Sequence, residues 1–328
     1  MTMDVATNLD PQIAAALAVS PIGAIDFGTF TFESLPAMRQ AMADMPVVEL
    51  PPTTTTSREV VVPGATGHDP TVRVYSPPTE ATGRPCVYWI HGGGYMFGSG
   101  LTIDARLNRW VEEFDCVAVS IEYRLAPEDP YPAPLDDCYA GLLWTAQHAD
   151  ELGIDPARIA LAGASAGAGL AAGLAILARD RGEVDLAFQL LIYPMIDDRN
   201  TSASSHIEGA PVWSREANHL GWRAYLGELV GKDYIPAYAV PARVESVAGL
   251  PPAWIGVGAL DVFRDEDIEY ASRMLAAGIP VELHVYPGAP HGFEMIVPHS
   301  AIAQACQRDI TEALRRALRP ESVFVSTN

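Results

Sequence analysis

From residue 86 onward the chain alternates short, nearly unbroken apolar runs with longer stretches whose apolar residues recur at helical spacing. The runs C-V-Y-W-I (86–90), C-V-A-V-S-I-E-Y (116–123), R-I-A-L-A (158–162), A-F-Q-L-L-I-Y (187–193), A-W-I-G-V-G (253–258) and V-E-L-H-V-Y (281–286) predict strands. The stretches between and after them predict helices near 103–114, 134–150, 166–181, 265–277 and 299–317. Continuously apolar strands separated by helices belong to a mostly parallel sheet covered on both faces. Such sheets bind ligands beyond the C-terminal ends of their strands. The chemistry is therefore expected in the loops that open near residues 91, 124, 163, 194, 259 and 287.

The first 85 residues are less regular. Residues 10–45 carry apolar positions at mixed helical spacing, interrupted at Pro21 and Pro36, and predict short helices joined by turns. Residues 46–57, with Pro46, Pro51 and Pro52, predict a linker. R-E-V-V-V-P and T-V-R-V-Y-S-P predict two strands around a G-A-T-G-H-D turn. A polar, Trp-containing stretch after residue 193 interrupts the alternation until 253.

Charge narrows the choice of partner. The net charge is −20, and only 21 residues are basic. Nucleic acids and anionic membrane surfaces both require clustered Lys and Arg, so neither is expected as a partner. No apolar run reaches the ~18 residues of a membrane span. The N-terminus lacks the basic and apolar regions of a signal peptide, so a cytoplasmic protein is expected. Cys86, Cys116, Cys138 and Cys306 fit neither a zinc site nor a disulfide framework. No metal or organic cofactor is implied.

The strand 158–162 runs into Gly163-Ala164-Ser165-Ala166-Gly167, a G-x-S-x-G between strand and helix. A serine on that sharp turn presents its hydroxyl at the rim of the sheet. Glycines two before and two after allow close approach of neighbouring backbone. A serine hydroxyl needs a base to take its proton, and in this arrangement the chain order is Ser, acid, His. After the strand 253–258 the sequence reads G-A-L-D-V-F-R-D-E-D. Asp261 lies in the loop and is favoured as the acid over its competitor Asp265; Glu266 and Asp267 fall in the first helical turn, where carboxylates suit the helix dipole. His291, in Y-P-G-A-P-H-G-F after the last strand, is the expected base. His284 lies inside a strand, and His299 belongs to the start of the last helix. The glycine loop His91-Gly92-Gly93-Gly94-Tyr95 and the N–H of Ala166 are the expected donors to an oxyanion. That loop lacks the features of a phosphate-binding loop.

Seven motifs in order resemble the hormone-sensitive-lipase branch of the α/β-hydrolases, the bacterial family IV carboxylesterases. They are H-G-G-G-Y (91–95), Y-R-L-A-P-E (123–128), Y-P-A-P-L-D-D (131–137), G-A-S-A-G (163–167), L-I-Y-P (191–194), D-V-F-R-D (261–265) and H-G-F (291–293). The resemblance implies an α/β-hydrolase fold, a mostly parallel central sheet flanked by helices, with a helical cap. It divides the chain into N-terminal cap helices over 1–50 and a core over 51–328, to which 200–240 adds a cap segment. Ser165, Asp261 and His291 correspond to the triad, and Gly93, Gly94 and Ala166 to the oxyanion donors. Arg124, Glu128, Asp136 and Asp137 correspond to loop-supporting residues. Ala164 departs from the Asp or Thr that the family often carries before its nucleophile.

The expected activity is hydrolysis of short- to medium-chain acyl esters through an acyl-enzyme. Small-molecule esters are the expected partners, and the strand at 281–286 would serve a homodimer. Tyr95, Trp213 and Phe30 are candidate substrate contacts, with Phe27 and Phe32 near the entrance. Trp222 and Tyr225 lie either over an acyl pocket or between cap helices. The same machinery serves lactone, amide or β-lactam hydrolysis. A non-catalytic small-ligand receptor would be marked by an incomplete triad, whereas here all three members are present in order.

Overall fold

The computed structural model describes residues 5–20, 23, 25–44, 52–64 and 67–319. The expected interruption at Pro21, residues 46–51 of the expected linker at 46–57 and two residues of the turn at 64–69 lie outside the described residues. Eight strands form one sheet: β1 (Thr56–Val61), β2 (Thr71–Ser76), β3 (Arg84–Ile90), β4 (Val117–Glu122), β5 (Ile154–Ala164), β6 (Phe188–Ile192), β7 (Ala253–Gly258) and β8 (Val281–Tyr286). Their spatial order is β1-β2-β4-β3-β5-β6-β7-β8. β2 pairs antiparallel with β1 and β4, and every other pairing is parallel.

The helices are α1 (Val5–Asn8), α2 (Pro11–Leu17), α3 (Leu35–Ala43), α4 (Asp104–Phe114), α5 (Ala133–Gln147), α6 (Ala149–Leu152), α7 (Ala166–Arg181), α8 (Arg215–Leu226), α9 (Arg264–Ala276), α10 (Phe293–Ile296) and α11 (Ala301–Ala317). None among the described residues is long and apolar enough to cross a membrane. Pro36 does not interrupt a helix as expected. It sits in the first turn of α3, where a proline's missing N–H would have had no partner anyway.

Two-sided burial explains the unbroken apolar runs. Every residue of β3 is buried, and alternate side chains enter opposite layers. Tyr88 and Ile90 join a cluster with Leu135, Leu170 and Met274, from α5, α7 and α9. Val87 and Trp89 join a second cluster with Leu107, Trp110 and Ile310, from α4 and α11. The N-terminal helices do not all lie together. Ile13 of α2 is buried in the second cluster, and the Gln12 side chain accepts from Ala301 N at the start of α11 (2.8 Å). Residues 27–34 and α3 instead face α8 and the loop after β3.

α7 is buried along its first thirteen residues, from Ala166 to Ala178. Its small side chains let it approach β5 and β6 closely. Gly169 has a specific reason to lack a side chain: a Cβ there would collide with the Met195 carbonyl and stand 2.7 Å from the Tyr95 hydroxyl. Gly169→Ala gains roughly 1 kcal/mol of helix propensity. Overpacking opposes it, and we expect a net loss of about 1–3 kcal/mol, read as a lower midpoint in urea. An unchanged or raised midpoint would show that the Met195 loop yields freely.

Candidate active site

β5 lies at the centre of the sheet, and its last residue, Ala164, leads directly into the turn. Ser165 has φ 57° and ψ −124°, a backbone region costing on the order of 1–3 kcal/mol for a residue with a side chain. Three hydrogen bonds hold it there. Ser165 N donates to Ile192 O (2.9 Å), and Ser165 O accepts from Gly169 N (2.9 Å) and Met195 N (3.1 Å). A Cβ at Gly167 would collide with the carbonyls of Ile90 and His91. This is the close approach that the glycine spacing predicted.

Ser165 meets the two expected partners. Its Oγ lies 2.9 Å from His291 Nε2, and His291 Nδ1 lies 2.7 Å from Asp261 Oδ2. The other oxygen of Asp261 accepts from Phe263 N at 3.0 Å. Asp261 is fully buried, while Ser165 and His291 keep 7% and 6% of their surface. The loops bearing the acid and the imidazole are stitched together by Ala259 N to Tyr286 O (2.8 Å) and Leu260 N to Ala289 O (2.9 Å). Asp10 N adds a bond to Gly288 O (2.9 Å), so α2 also braces the His291 loop. Asp265 is engaged elsewhere: its carboxylate accepts from Ser204 N and Arg264 Nε, both at 2.7 Å.

Aromatic rings surround the imidazole. Tyr193 and Phe263 present edges at 4.7 and 5.0 Å between centroids, and Trp213 stands at 6.3 Å. Beneath them Glu294, fully buried, pairs with Arg106 and accepts from the Tyr193 hydroxyl at 3.0 Å. Nothing in the sequence pattern marked this Arg106–Glu294–Tyr193 group, because its members come from three separate elements. His284 bonds Glu282 in edge strand β8 (2.8 Å), and His299 is exposed just before Ser300, whose side chain caps α11.

The glycine loop folds as a tight turn. Gly93 and Gly94 have φ 122° and 60°, accessible to glycine at little cost. Gly93 O accepts from Met96 N (3.0 Å) and Phe97 N (2.9 Å). The N–H groups of Gly93, Gly94 and Ala166 have no protein acceptor among the described residues. His91 is neutral at physiological pH, because burial pushes its pKa down to about 4. Its ring stacks on Tyr123 at 4.2 Å, and the Tyr123 hydroxyl donates to His91 O (2.9 Å).

Of the candidate substrate contacts, Trp213 stands beside the triad imidazole, at 6.3 Å between ring centroids. A Cβ on Gly94 would strike its ring. Phe27 is 6.1 Å from Trp213, and half-buried Phe30 is 5.2 Å from Phe27 and 6.1 Å from Phe97. Phe32 turns away, under the guanidinium of Arg223 at 5.5 Å. Tyr95 is fully buried, stacks on Tyr225 at 4.0 Å, and donates its hydroxyl to Met195 O (3.0 Å). Those contacts assign its side chain to packing, since its one polar atom is already bonded to the main chain. Trp222 and Tyr225 are likewise buried against Tyr95.

The supporting residues behave mostly as expected. Arg124 forks onto Asp137 with two bonds of 2.8 Å, and Glu128 pairs with Arg39. Asp136 departs from this pattern: no hydrogen bond to its carboxylate is formed among the described residues, and burial raises its pKa. Ala164 packs in the second apolar cluster and brings no polar side chain to the turn. All four cysteines are buried free thiols. Among the described residues no group of three or more His, Cys, Asp or Glu is arranged to hold a metal ion.

Glu266 and Asp267 lie in the first turn of α9 as expected, but not at the surface. Glu266 is 5% exposed and accepts from the N–H groups of Ile196 and Asp197 at 3.3 Å each. Asp267 is fully buried, and neither oxygen has a hydrogen-bond partner. Burial, with nearby Glu266 and Asp261, raises its pKa well above the carboxylate range. A raised folded-state pKa means the native protein holds a proton that the unfolded chain releases. Stability is then lost as pH rises from about 4, the ordinary carboxyl value, toward the folded-state pKa. Asp267→Asn keeps the shape without the ionisation. Its Tm relative to the parent should therefore rise as pH increases above about 4, as read by calorimetry. A pH-independent difference would show that Asp267 is not a protonated buried acid.

The chain matches the family described as alpha/beta hydrolase fold over residues 87–295. Esterase LipI of Mycobacterium tuberculosis is 35% identical over 320 residues, covering 97% of this chain and 95% of that protein. Carboxylesterase NlhH of the same organism is 36% identical over 322 residues, covering 95% and 97%. Among solved structures, a bacterial heroin esterase superposes with a TM-score of 0.86 at 39% identity, covering 95% of this chain and 99% of that one. Esterase LipW from Mycobacterium marinum gives 0.83 at 36% identity, covering 98% and 99%.

Proposed function

The chain belongs to the α/β-hydrolase family, in its hormone-sensitive-lipase-like branch, and from that premise we propose that it is a serine carboxylesterase using Ser165, His291 and Asp261. One observation carries the reading. An unbroken relay runs from Asp261 through His291 to Ser165, at 2.7 and 2.9 Å, and ends beside three backbone N–H groups with no other acceptor among the described residues.

In the proposed cycle, His291 Nε2 takes the Ser165 proton as Oγ attacks the ester carbonyl. The carbonyl π electrons move to oxygen, and the N–H groups of Gly93, Gly94 and Ala166 receive the resulting anion. Collapse breaks the bond to the alcohol oxygen, which leaves with the proton held by His291. Water then attacks the acyl-serine, giving its proton to His291, and the acid departs as Oγ is reprotonated. Asp261 keeps Nδ1 protonated and stabilises the imidazolium.

Residues 27–43 and 200–229 act as the lid of this site, and the remaining N-terminal helices brace the core. Phe27, Phe30, Phe97 and Trp213 form a compact aromatic wall beside Gly94. That wall supports short- and medium-chain acyl esters as substrates. With purified protein, turnover of p-nitrophenyl esters should peak between acetate and octanoate and fall for longer chains. A maximum at palmitate would overturn the compact-site reading. Ser165→Ala should fold normally and lose at least about 10³-fold in kcat.

The two candidate acids make a separate test. Asp261→Asn should lower kcat by about 10²–10⁴-fold, because the imidazole loses its orienting charge. Asp265→Asn should cost far less activity and show itself as a lower Tm, through its bonds to Ser204 and Arg264. The reverse ranking in kcat, with both variants folded, would transfer the acid's role to Asp265.

A further inference from the structure

Arg39 of α3 reaches across to the turn that carries the oxyanion glycines. Its Nε donates to Met96 O and its Nη2 to Ala126 O, each at 2.8 Å. The same guanidinium forks onto Glu128, with Nη1 to Oε1 at 2.8 Å and Nη2 to Oε2 at 2.9 Å. Ala126 N in turn donates to Tyr95 O (3.0 Å), while Met96 N and Phe97 N close on Gly93 O. One side chain thus ties a lid helix to the glycine loop and to the loop after β4.

The physical need for such a tie follows from the glycines. At φ 122° and 60°, Gly93 and Gly94 occupy backbone regions open to many neighbouring conformations. Nothing in their own chemistry aims their N–H groups, so the direction must be imposed by contacts outside the pair. Arg39 meets the peptide immediately beyond the turn. The ion pair alone does not account for the arrangement. Glu128 is 55% exposed, and exposed pairs contribute little to stability. The guanidinium reaches both carbonyls directly, through Nε and Nη2, and neither of those contacts passes through Glu128. Lysine has no such planar fork and offers one nitrogen where the guanidinium uses two.

We propose that Arg39 is a positioning residue for the oxyanion donors, so that seating of α3 and alignment of the Gly93 and Gly94 N–H groups occur together. The proposal rests on the acyl-enzyme reading above. Donors aimed at the tetrahedral oxyanion act in the transition state more than on the bound ester. Losing their alignment therefore lowers kcat while leaving KM nearly unchanged.

The test compares the parent with Arg39→Met, Arg39→Lys, Glu128→Gln and Ser165→Ala. Each is assayed on p-nitrophenyl butyrate and titrated with an alkyl trifluoromethyl ketone, which forms a tetrahedral adduct on a reactive serine. Arg39→Met should lower kcat about 10- to 100-fold, below the 10²–10³ typical of deleting a donor outright. Its KM should stay within about threefold, and its ketone affinity should fall in proportion to kcat/KM. Glu128→Gln keeps both carbonyl contacts and should stay within about threefold of the parent in kcat, as expected for an exposed pair. A raised KM with unchanged kcat in Arg39→Met, unaltered ketone affinity, or equal losses in Glu128→Gln would each overturn the proposal. If Arg39→Met does not fold by circular dichroism, Arg39→Lys decides: parent-like kcat in that variant overturns the proposal, and a selective kcat loss at parent-like Tm sustains it. Turnover surviving in Ser165→Ala would separately overturn the acyl-enzyme reading, and this inference with it.

Discussion

The contact on which the site depends is the approach of Gly167 to the carbonyls of Ile90 and His91. It forces the chain to turn within one residue from the central strand into α7. Ser165 takes the strained backbone conformation because the turn leaves it no other. The same approach brings the end of β3 beside the start of α7. The glycine loop that follows β3 and the N–H of Ala166 therefore open on one small space. A side chain at 167 would separate those two elements, and the hydroxyl and the free N–H groups would no longer share a site.

Convergence of the other two members comes from parallel register. β7 and β8 run side by side, with Gly258 opposite Tyr286. Their following loops leave the sheet together and remain paired through the bond from Leu260 N to Ala289 O. Asp261 and His291, thirty residues apart in sequence, are thus neighbours as a consequence of strand pairing. The sheet supplies distance and direction, and the loops need only short, well-bonded turns to complete the relay.

Most of this framework was legible in the sequence because two-sided burial writes itself as unbroken apolar runs, and glycine and proline mark the turns. β7, β8 and α7 match their expected limits, and Ser165, Asp261 and His291 stand where strand ends required. What could not be read depends on who meets whom across long separations. Arg39 sits in an unremarkable helical stretch, and only the fold brings it to Met96 and Ala126. The Arg106–Glu294–Tyr193 group is likewise assembled from distant positions. Tyr95 stood among the candidate substrate contacts, yet its positive φ of 65° is accompanied by full burial of the ring. Glu266 and Asp267 matched the rule for a helix N-terminus, and the rule has no means of showing that this turn is buried.

The burial of Asp267 bears on the relay itself. Three carboxyl groups, on Asp261, Glu266 and Asp267, lie within electrostatic reach of one another in a region closed to water. They differ in what stabilises a charge. Asp261 has His291 and an N–H of the main chain, Glu266 has two long N–H bonds, and Asp267 has neither. Burial therefore favours the protonated form of Asp267, whose charge no donor compensates. In that form it adds no second negative charge beside the carboxylate that orients His291. Asp261, bonded to both His291 and the Phe263 N–H, remains the acid that orients the imidazole.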